Sequence, residues 1–329
     1  MTEVGYSLSS EEHKPNELVT HAQLAEQAGF KFVIISDHFH PWTSQQGESS
    51  FVWSVLGGIA HATKHITAGT GVTCPILRFH PALTAQAAAT MADMMPGRFF
   101  LGLGTGEYLN EHIYGHPWPD YMTRREMLIE AVHIIRELWM GEEYSYNGLY
   151  YSVKDARLYT LPKQLPPLYI AASGPDSATL AAEIADGLIS TTSGDKVTSA
   201  FNGSGGSGKP CFGQIKLCWA KTEEEARKVM KKWWPVSALS GRLHVDMPTP
   251  KHFEDAVKLM DEPEIPEDSI LGPKLDPYMQ AIRTMQENGF SHVYLHQVGP
   301  DQEGFLDFFK NKLLPALEHE GLVENPVKV

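Results

Sequence analysis

Eight short apolar segments alternate along the chain with longer amphipathic ones, and this alternation restricts the fold more than any other feature of the sequence. A buried parallel strand is a nearly continuous apolar run, whereas a helix packed on a sheet carries one apolar face. The predicted strands are Val4–Leu8, Lys31–Ser36, Ile66–Val72, Arg98–Leu103, Pro167–Ala172, Gly187–Ser190, Phe212–Ala220 and His292–Gln297. Eight strand–helix units favour a closed (β/α)8 TIM barrel over an open sheet, and we expect residues 1–329 to form one domain.

Two segments interrupt the strand–helix rhythm. The first, residues 142–159, follows the helix predicted over Met122–Met140; it is aromatic and β-like, and Asn147-Gly148 is a hairpin signal. The second, residues 235–273, is rich in Pro and Met and lies between the seventh and eighth strands. We therefore expect a barrel with one insertion after helix 4 and another, with extra helices over one barrel mouth, between strands 7 and 8.

Charge and cysteine usage limit the partners of the chain. The formal net charge of −13 disfavours nucleic acid and anionic membranes as partners, so a small molecule is the expected one. The three cysteines show no CxxC pair and no disulfide spacing, which is typical of reduced cytoplasmic thiols. No segment resembles a signal peptide or a membrane span, and we expect a soluble, cytoplasmic protein.

A polar segment, Ser36–Trp42, directly follows the second predicted strand. Catalytic groups of (β/α)8 barrels lie at the carboxyl ends of the strands, which places Asp37 and His38 at that mouth. A histidine next to a carboxylate suits a general base. A metal site is disfavoured because His38 and His40 point to opposite sides of an extended loop and no HExxH or Cys set is present. The residues alone leave general base and solvated surface loop equally open.

Three glycine-rich segments border the other predicted strands. The run from Gly102 to Glu107 follows strand 4 and serves either as a tight turn or as a cradle for a flat ring or an anion; we favour the cradle. Residues 171–175 precede a helix and form either an anion site or a plain turn. Residues 202–210 match the front of a P-loop, but Pro210 replaces the Ser or Thr that holds magnesium, so we interpret them as a flexible turn.

Taken together, these segments resemble a known family. The matching runs are SDHFHPW at 36–42, TGVTCP at 70–75, FLGLGTGEYLN at 100–110 and YIAASGP at 169–175. They resemble the deazaflavin-dependent branch of the bacterial-luciferase-like superfamily, particularly its glucose-6-phosphate dehydrogenase family, over residues 5–317. The resemblance implies a bacterial-luciferase-like barrel that binds coenzyme F420, an 8-hydroxy-5-deazaflavin, and usually a homodimer. An FMN-dependent luciferase-like monooxygenase is the alternative that the barrel alone leaves open.

The resemblance also implies roles for individual residues. His38 would take the proton of a substrate hydroxyl, Asp37 would contact the cofactor and fix His38, and Glu107 would be the proton partner at the cofactor ring. Trp42 would pack beside the transferring atoms, and Glu11 would lie near the substrate. The family's non-proline cis peptide falls at Gly71-Val72. The implied cofactor-binding residues are Asp37, Gly71, Val72, Thr73, Gly104, Thr105, Gly106, Glu107, Asn110, Ser173 and Gly174.

The chain departs from the family's sugar-phosphate members at the cations of the barrel mouth. After strand 6 the lysine is displaced to Lys196, behind an aspartate, and Thr191 begins that run. In the insertion, His244 and Asp268 align with the two remaining cation positions, with Arg242 close by. A phosphate dianion without two or more cations is poorly paired, so we expect an uncharged alcohol or sugar as hydride donor. Glucose 6-phosphate remains the alternative if Lys196 and Arg242 reach the pocket.

Overall fold

The computed structural model describes residues 1–239, 241–260, 265 and 269–324. Eight of its strands are parallel and close into a barrel in the order β1-β2-β3-β4-β7-β8-β9-β11, and the pairing of β11 with β1 completes the circle. The (β/α)8 barrel predicted from the sequence is therefore confirmed. The strands are β1 (Glu3–Leu8), β2 (Phe32–Ile35), β3 (Thr67–Thr70), β4 (Phe99–Leu103), β5 (Tyr144–Asn147), β6 (Ser152–Ala156), β7 (Leu168–Ala171), β8 (Gly187–Ser190), β9 (Cys211–Cys218), β10 (Ile270–Leu271) and β11 (His292–Gln297).

Helices cover the outside of the barrel. They are α1 (Pro15–Ala28), α2 (Val52–Ala62), α3 (Pro81–Met94), α4 (Tyr108–Glu111), α5 (Tyr121–Leu138), α6 (Pro175–Ile184), α7 (Asp195–Phe201), α8 (Glu223–Trp233), α9 (Leu243–Asp246), α10 (Pro250–Lys258), α11 (Leu275–Glu287), α12 (Gln302–Phe308) and α13 (Leu314–His319). A π-helical turn joins the last two. No helix in the described part of the chain is both long and apolar enough to span a bilayer.

The barrel interior is filled by large side chains from six of the eight barrel strands. These are Phe32, Ile34, Phe100, Tyr169, Ile189, Phe212 and Tyr294. Glycines make room for them: a Cβ on Gly69 would lie 2.2 Å from the Phe100 ring. The interior is thus a packed core, and free space for chemistry is confined to the strand ends.

Both predicted insertions, residues 142–159 and 235–273, interrupt the strand–helix alternation in the structure. Residues 144–147 and 152–156 form an antiparallel hairpin after α5. The second insertion contains α9 and α10, and its His244 and Phe253 pack on Trp42 at the mouth. The helix α11 was not predicted, because the Pro-rich segment before it concealed its amphipathic pattern.

Residues 202–206 form a π-helical turn that precedes Lys209, whose ammonium donates to two carbonyls at the end of α6.

Candidate active site

The carboxyl ends of β1, β2 and β4 bring three titratable side chains together. His38 Nε2 lies 3.4 Å from Glu11 Oε1 and 3.5 Å from Glu107 Oε2. The His38 side chain is 11% exposed, so the imidazole is sheltered but still reaches the mouth. The three residues come from three different loops, which a barrel places side by side because its strands are parallel and in register.

Glu11 is the buried partner of this histidine. Its Oε2 accepts hydrogen bonds from Ser9 Oγ at 3.0 Å and from Ser36 Oγ at 2.5 Å. Burial alone would raise the pKa of the Glu11 carboxyl, but the nearby His38 and the Ser36 hydroxyl outweigh it and lower that pKa. Glu11 is therefore an ionised carboxylate aimed at His38 Nε2.

Glu107 has the opposite electrostatics. It follows Gly106, whose φ of 75° turns the chain after β4, and it precedes the first turn of α4. Burial and the neighbouring carboxylates of Glu11 and Glu111 raise the pKa of Glu107 to about 7, against the opposing attraction of His38. The two carboxyl groups next to His38 therefore differ: the pKa of Glu11 is lowered and that of Glu107 is raised. Such a difference between neighbouring carboxyl groups is typical of acid–base sites.

The expected contact between Asp37 and His38 is wrong. The Asp37 carboxylate instead accepts from Thr73 Oγ1 at 2.6 Å and from Arg78 Nη2 at 2.8 Å. Arg78 also pairs with Glu111, and the Arg78 and Asp37 side chains are 5% and 1% exposed. His38 Nδ1 lies 3.1 Å from the His40 carbonyl. Asp37 therefore anchors the loop to β3, and Glu11 is the carboxylate that faces the ring.

The loops after β3 and β4 form a close-packed pair. The Gly71–Val72 peptide is cis, as the resemblance implied. A Cβ on Gly104 would lie 2.7 Å from Val72 Cγ2, so a larger residue would push Val72 away from β4. Arg124 Nη1 donates to the carbonyls of Thr105 and Gly106 and holds the second loop from behind.

Asn110 and Gly174 complete the set of cofactor residues implied by the resemblance. Asn110 Nδ2 donates to Glu107 Oε2 at 3.3 Å, while its Oδ1 accepts from the amide of Phe39 at 2.9 Å. Gly174 caps the start of α6, next to the exposed Ser173, and a Cβ there would meet no atom within 4 Å. Open space at a helix N-terminus suits an anionic group. An acidic ring partner at one end and an anion site at the other fit a deazaflavin with a phosphate tail.

An aromatic wall lies on the far side of His38. The Trp42 ring centroid is 5.1 Å from that of His38, 5.4 Å from that of His244 and 5.2 Å from that of Phe253. His244 and Phe253 belong to the insertion, which we call the lid (residues 235–239 and 241–260). Trp42 is 8% exposed because its ring is packed between His38 and the lid.

The other candidate substrate residues that the structure describes are exposed to solvent. Arg242 is 89% exposed and pairs with Asp246 one helical turn away. Thr191 and Lys196 are both exposed at the start of the α7 segment. Asp268 lies outside the described residues. Of the four candidates that the structure describes, Thr191, Lys196, Arg242 and His244, it is His244 that contacts the aromatic wall.

Two further polar groups of the mouth were missed by the sequence analysis. His296 Nε2 lies 3.4 Å from Glu12 Oε2, and both side chains are at most 5% exposed. Lys216 Nζ lies 4.4 Å from the centre of the Trp234 ring. The alternation of side chains along a strand could have identified both residues. Phe212 and Tyr294 face the barrel interior, and Lys216 and His296 lie four and two residues after them, so they face the same side.

Comparison with known proteins agrees with this geometry. The luciferase-like monooxygenase family matches residues 1–291. The F420-dependent hydroxymycolic acid dehydrogenase of Mycobacterium tuberculosis is 37% identical over 95% of this chain and 88% of its own length. The F420-dependent glucose-6-phosphate dehydrogenase of Microbacterium testaceum is 36% identical over 95% of this chain and 96% of its own. A solved F420-dependent secondary alcohol dehydrogenase, in complex with an F420–acetone adduct, has a TM-score of 0.88 and 29% identity, covering 96% of this chain and 99% of that one.

The family match and the F420-dependent relatives together define an oxidoreductase of the luciferase-like class. The chain belongs to the luciferase-like family, and its relatives of 36–37% identity are F420-dependent dehydrogenases. The family predicted from the sequence is therefore confirmed, and F420 is the cofactor that those relatives use.

Proposed function

We propose that the protein is an F420-dependent dehydrogenase that oxidises an uncharged secondary alcohol or sugar. The observation that carries this proposal is the position of His38 Nε2 between Glu11 and Glu107 at the barrel mouth. The F420-dependent relatives and the alcohol dehydrogenase structure support the same reaction class.

In this proposal His38 is the general base. Its Nε2 accepts the hydroxyl proton of the carbinol while the hydride leaves the carbinol carbon. The imidazolium that forms lies 3.4 Å from the ionised Glu11, which stabilises the new positive charge. Trp42 and the lid keep water away from the reacting atoms.

Bound F420 supplies the hydride acceptor, C5 of its deazaflavin ring. Of the protein groups, Glu107 holds or releases a proton at the cofactor ring, and a pKa of about 7 leaves both of its forms populated near neutrality. The loop residues from Gly71 to Thr73 and from Gly104 to Gly106 would hold the ring. Asn110 would fix Glu107, Asp37 would anchor the loop of His38, and Ser173 and Gly174 would hold the phosphate.

An uncharged donor is favoured by the charges around His38. The carboxylates of Glu11 and Glu12 and the carboxyl group of Glu107 lie at this end of the barrel together with the Lys216 ammonium, whereas Arg242 and Lys196 are exposed. A phosphate dianion would meet these carboxylates without a matching cation cluster. Glucose 6-phosphate is the second candidate, and the 36% identical relative that acts on it favours including it in the test.

The test is a screen of F420 reduction by the purified protein. Secondary alcohols, free sugars and glucose 6-phosphate are supplied in turn, and loss of the oxidised deazaflavin absorbance is followed. The proposal predicts turnover with an uncharged alcohol or sugar and at least tenfold lower kcat/KM with glucose 6-phosphate. The reverse order would assign the sugar-phosphate activity instead. Tight FMN binding without F420 binding would overturn the cofactor assignment and favour a monooxygenase.

We further propose a cytoplasmic homodimer in which each chain forms one domain and which binds neither nucleic acid nor membranes. The net charge of −13 and the three free cysteines, all buried, support the cytoplasmic location and the lack of binding to nucleic acid or membranes, whereas the homodimer is supported by the resemblance to the family. Light scattering after size exclusion should give twice the 36.6 kDa chain mass. A monomeric mass would contradict the dimer.

A further inference from the structure

A second carboxylate–histidine pair lies beside the reacting centre. Glu12 directly follows Glu11, yet its carboxylate turns to the other side and faces His296 Nε2 at 3.4 Å. Glu12 Oε1 also accepts from the amide of Gly299 at 2.9 Å, which fixes the carboxylate. Consecutive glutamates thus hold two histidines, His38 and His296, at the same mouth.

His296 faces the barrel interior. It lies near the carboxyl end of β11 and has the same parity as Tyr294, which is part of the interior cluster. Trp234 packs edge-on against the His296 ring, with centroids 4.7 Å apart. His296 therefore lies on the interior side of β11, at the mouth that carries the base.

The contact with Glu12 decides which nitrogen of His296 carries the hydrogen. Glu12 is a hydrogen-bond acceptor at both oxygens, so Nε2 donates to it and Nδ1 of the neutral ring is an acceptor. Nδ1 is buried and has no hydrogen-bond partner among the described residues. A buried acceptor without a donor is unfavourable, so a ligand hydroxyl that donates to it would be preferred over a ligand without one.

We propose that His296 is a substrate-specificity residue whose Nδ1 accepts a hydrogen bond from a second hydroxyl of the substrate. The preferred hydride donors are accordingly diols or polyols rather than simple secondary alcohols. This proposal rests on the proposed F420-dependent alcohol oxidation and adds the chemical class of the donor.

The same contacts disfavour a carboxylate as the second group. A carboxylate would face the Nδ1 lone pair of His296 and the nearby charges of Glu11 and Glu12. Lys216 is the cation on this side, and its ammonium lies over the Trp234 ring. A hydroxyl can donate to Nδ1 without adding charge, and for this reason it is the group that we assign.

The experiment compares matched donors with the F420-loaded enzyme. Butan-2-ol, butane-1,3-diol, butane-2,3-diol and 3-hydroxybutyrate are tested, and the ratio of kcat/KM for each diol to that for butan-2-ol is measured. The wild-type ratio for at least one diol should be about fivefold or higher, the effect of one net hydrogen bond. Because the ratio is taken within each variant, a general loss of activity or stability does not move it.

Two substitutions of His296 separate its two nitrogens. In His296→Gln the side-chain amide reaches the Nε2 position and keeps the contact with Glu12 but loses the Nδ1 acceptor, so the diol ratio should fall to about one. In His296→Asn the amide lies near the Nδ1 position and should retain part of the preference. The matched control is His292→Gln, on the same strand and face but at the opposite end of the barrel, which should keep the wild-type ratio.

Three outcomes would overturn the proposal. They are a wild-type diol ratio near one for every diol, an unchanged ratio in His296→Gln, and a preference for 3-hydroxybutyrate that disappears in Lys216→Met. All three require turnover of some donor and therefore leave F420-dependent alcohol oxidation intact, although the third would also contradict an uncharged donor. Absence of F420 reduction by any alcohol, diol or hydroxy acid would instead overturn the proposed function, and this inference with it.

Discussion

Two regions face each other across one mouth of the barrel: the loops around His38 and the lid. They are stabilised in different ways. In the loops, charged groups are buried and paired: the Arg78 and Asp37 side chains are 5% and 1% exposed. In the lid, the pair of Arg242 and Asp246 is 89% and 34% exposed, and contact with the mouth is made by the rings of His244 and Phe253. The difference indicates that a rigid polar network serves the chemistry, whereas an aromatic cover shields it and contributes no buried cation pair.

The largest effect that would test this comparison is expected at His38. In His38→Ala, kcat/KM should fall by about 10²–10⁴-fold, because general base catalysis is lost, while F420 binding is retained. Steady-state kinetics and F420 titration measure the two quantities. The control is His40→Ala, two residues along the same loop, whose ring contacts the Leu109 carbonyl and which should lose less than tenfold. Equal losses in both variants would contradict the assignment of His38 as the base.

The second effect concerns stability. Asp37→Asn leaves the buried Arg78 with one carboxylate partner in place of two, and the free energy of unfolding should decrease by about 3 kcal/mol. Asp246→Asn breaks the exposed pair of the lid and should cost less than about 1 kcal/mol. Urea unfolding of both variants checks the contrast. Similar losses would show that burial does not distinguish the two regions.

A smaller, pH-dependent effect is expected at Glu107. Because the pKa of Glu107 rises from 4.5 to about 7 on folding, its ionisation opposes folding progressively from pH 4.5 to about pH 7. Glu107→Gln removes that ionisation. The thermal midpoint of this variant should exceed that of the wild type by about 2 °C at pH 8 and by less at pH 4.5. A gain that is largest at low pH would have the wrong sign.

The smallest effect is expected in the lid. Arg242→Ala should change kcat/KM for the preferred alcohol by less than about twofold, because the guanidinium is solvated and bound to Asp246. A tenfold loss confined to glucose 6-phosphate would instead show that Arg242 reaches the pocket and would restore the sugar-phosphate interpretation.

The same contrast explains what was predictable from the sequence. Strand ends are set by local apolar runs, so the loops of His38 and Glu107 were correctly placed at one mouth. The partner of Asp37 was not predictable, because Arg78 follows a different strand and no local pattern points it toward β2. His296 and Lys216 were missed because each lies inside a strand. Which side of a strand faces the barrel interior depends on how the strands pair, and the pairing of β9 and β11 was not known from the sequence. In the lid, alignment placed His244 near a substrate position, but the exposure of Arg242 depends on how α9 packs.

In the proposed reaction, the carbinol hydride is transferred to the cofactor while His38 takes the hydroxyl proton. The most direct measurement uses a secondary alcohol deuterated at its carbinol carbon, with mass analysis of the reduced F420 and of the ketone in single turnovers. We expect one deuterium in the reduced F420, none at the former carbinol carbon of the ketone, and a slower turnover in His38→Ala with the same label distribution. Reduced F420 without deuterium would contradict the proposed reaction.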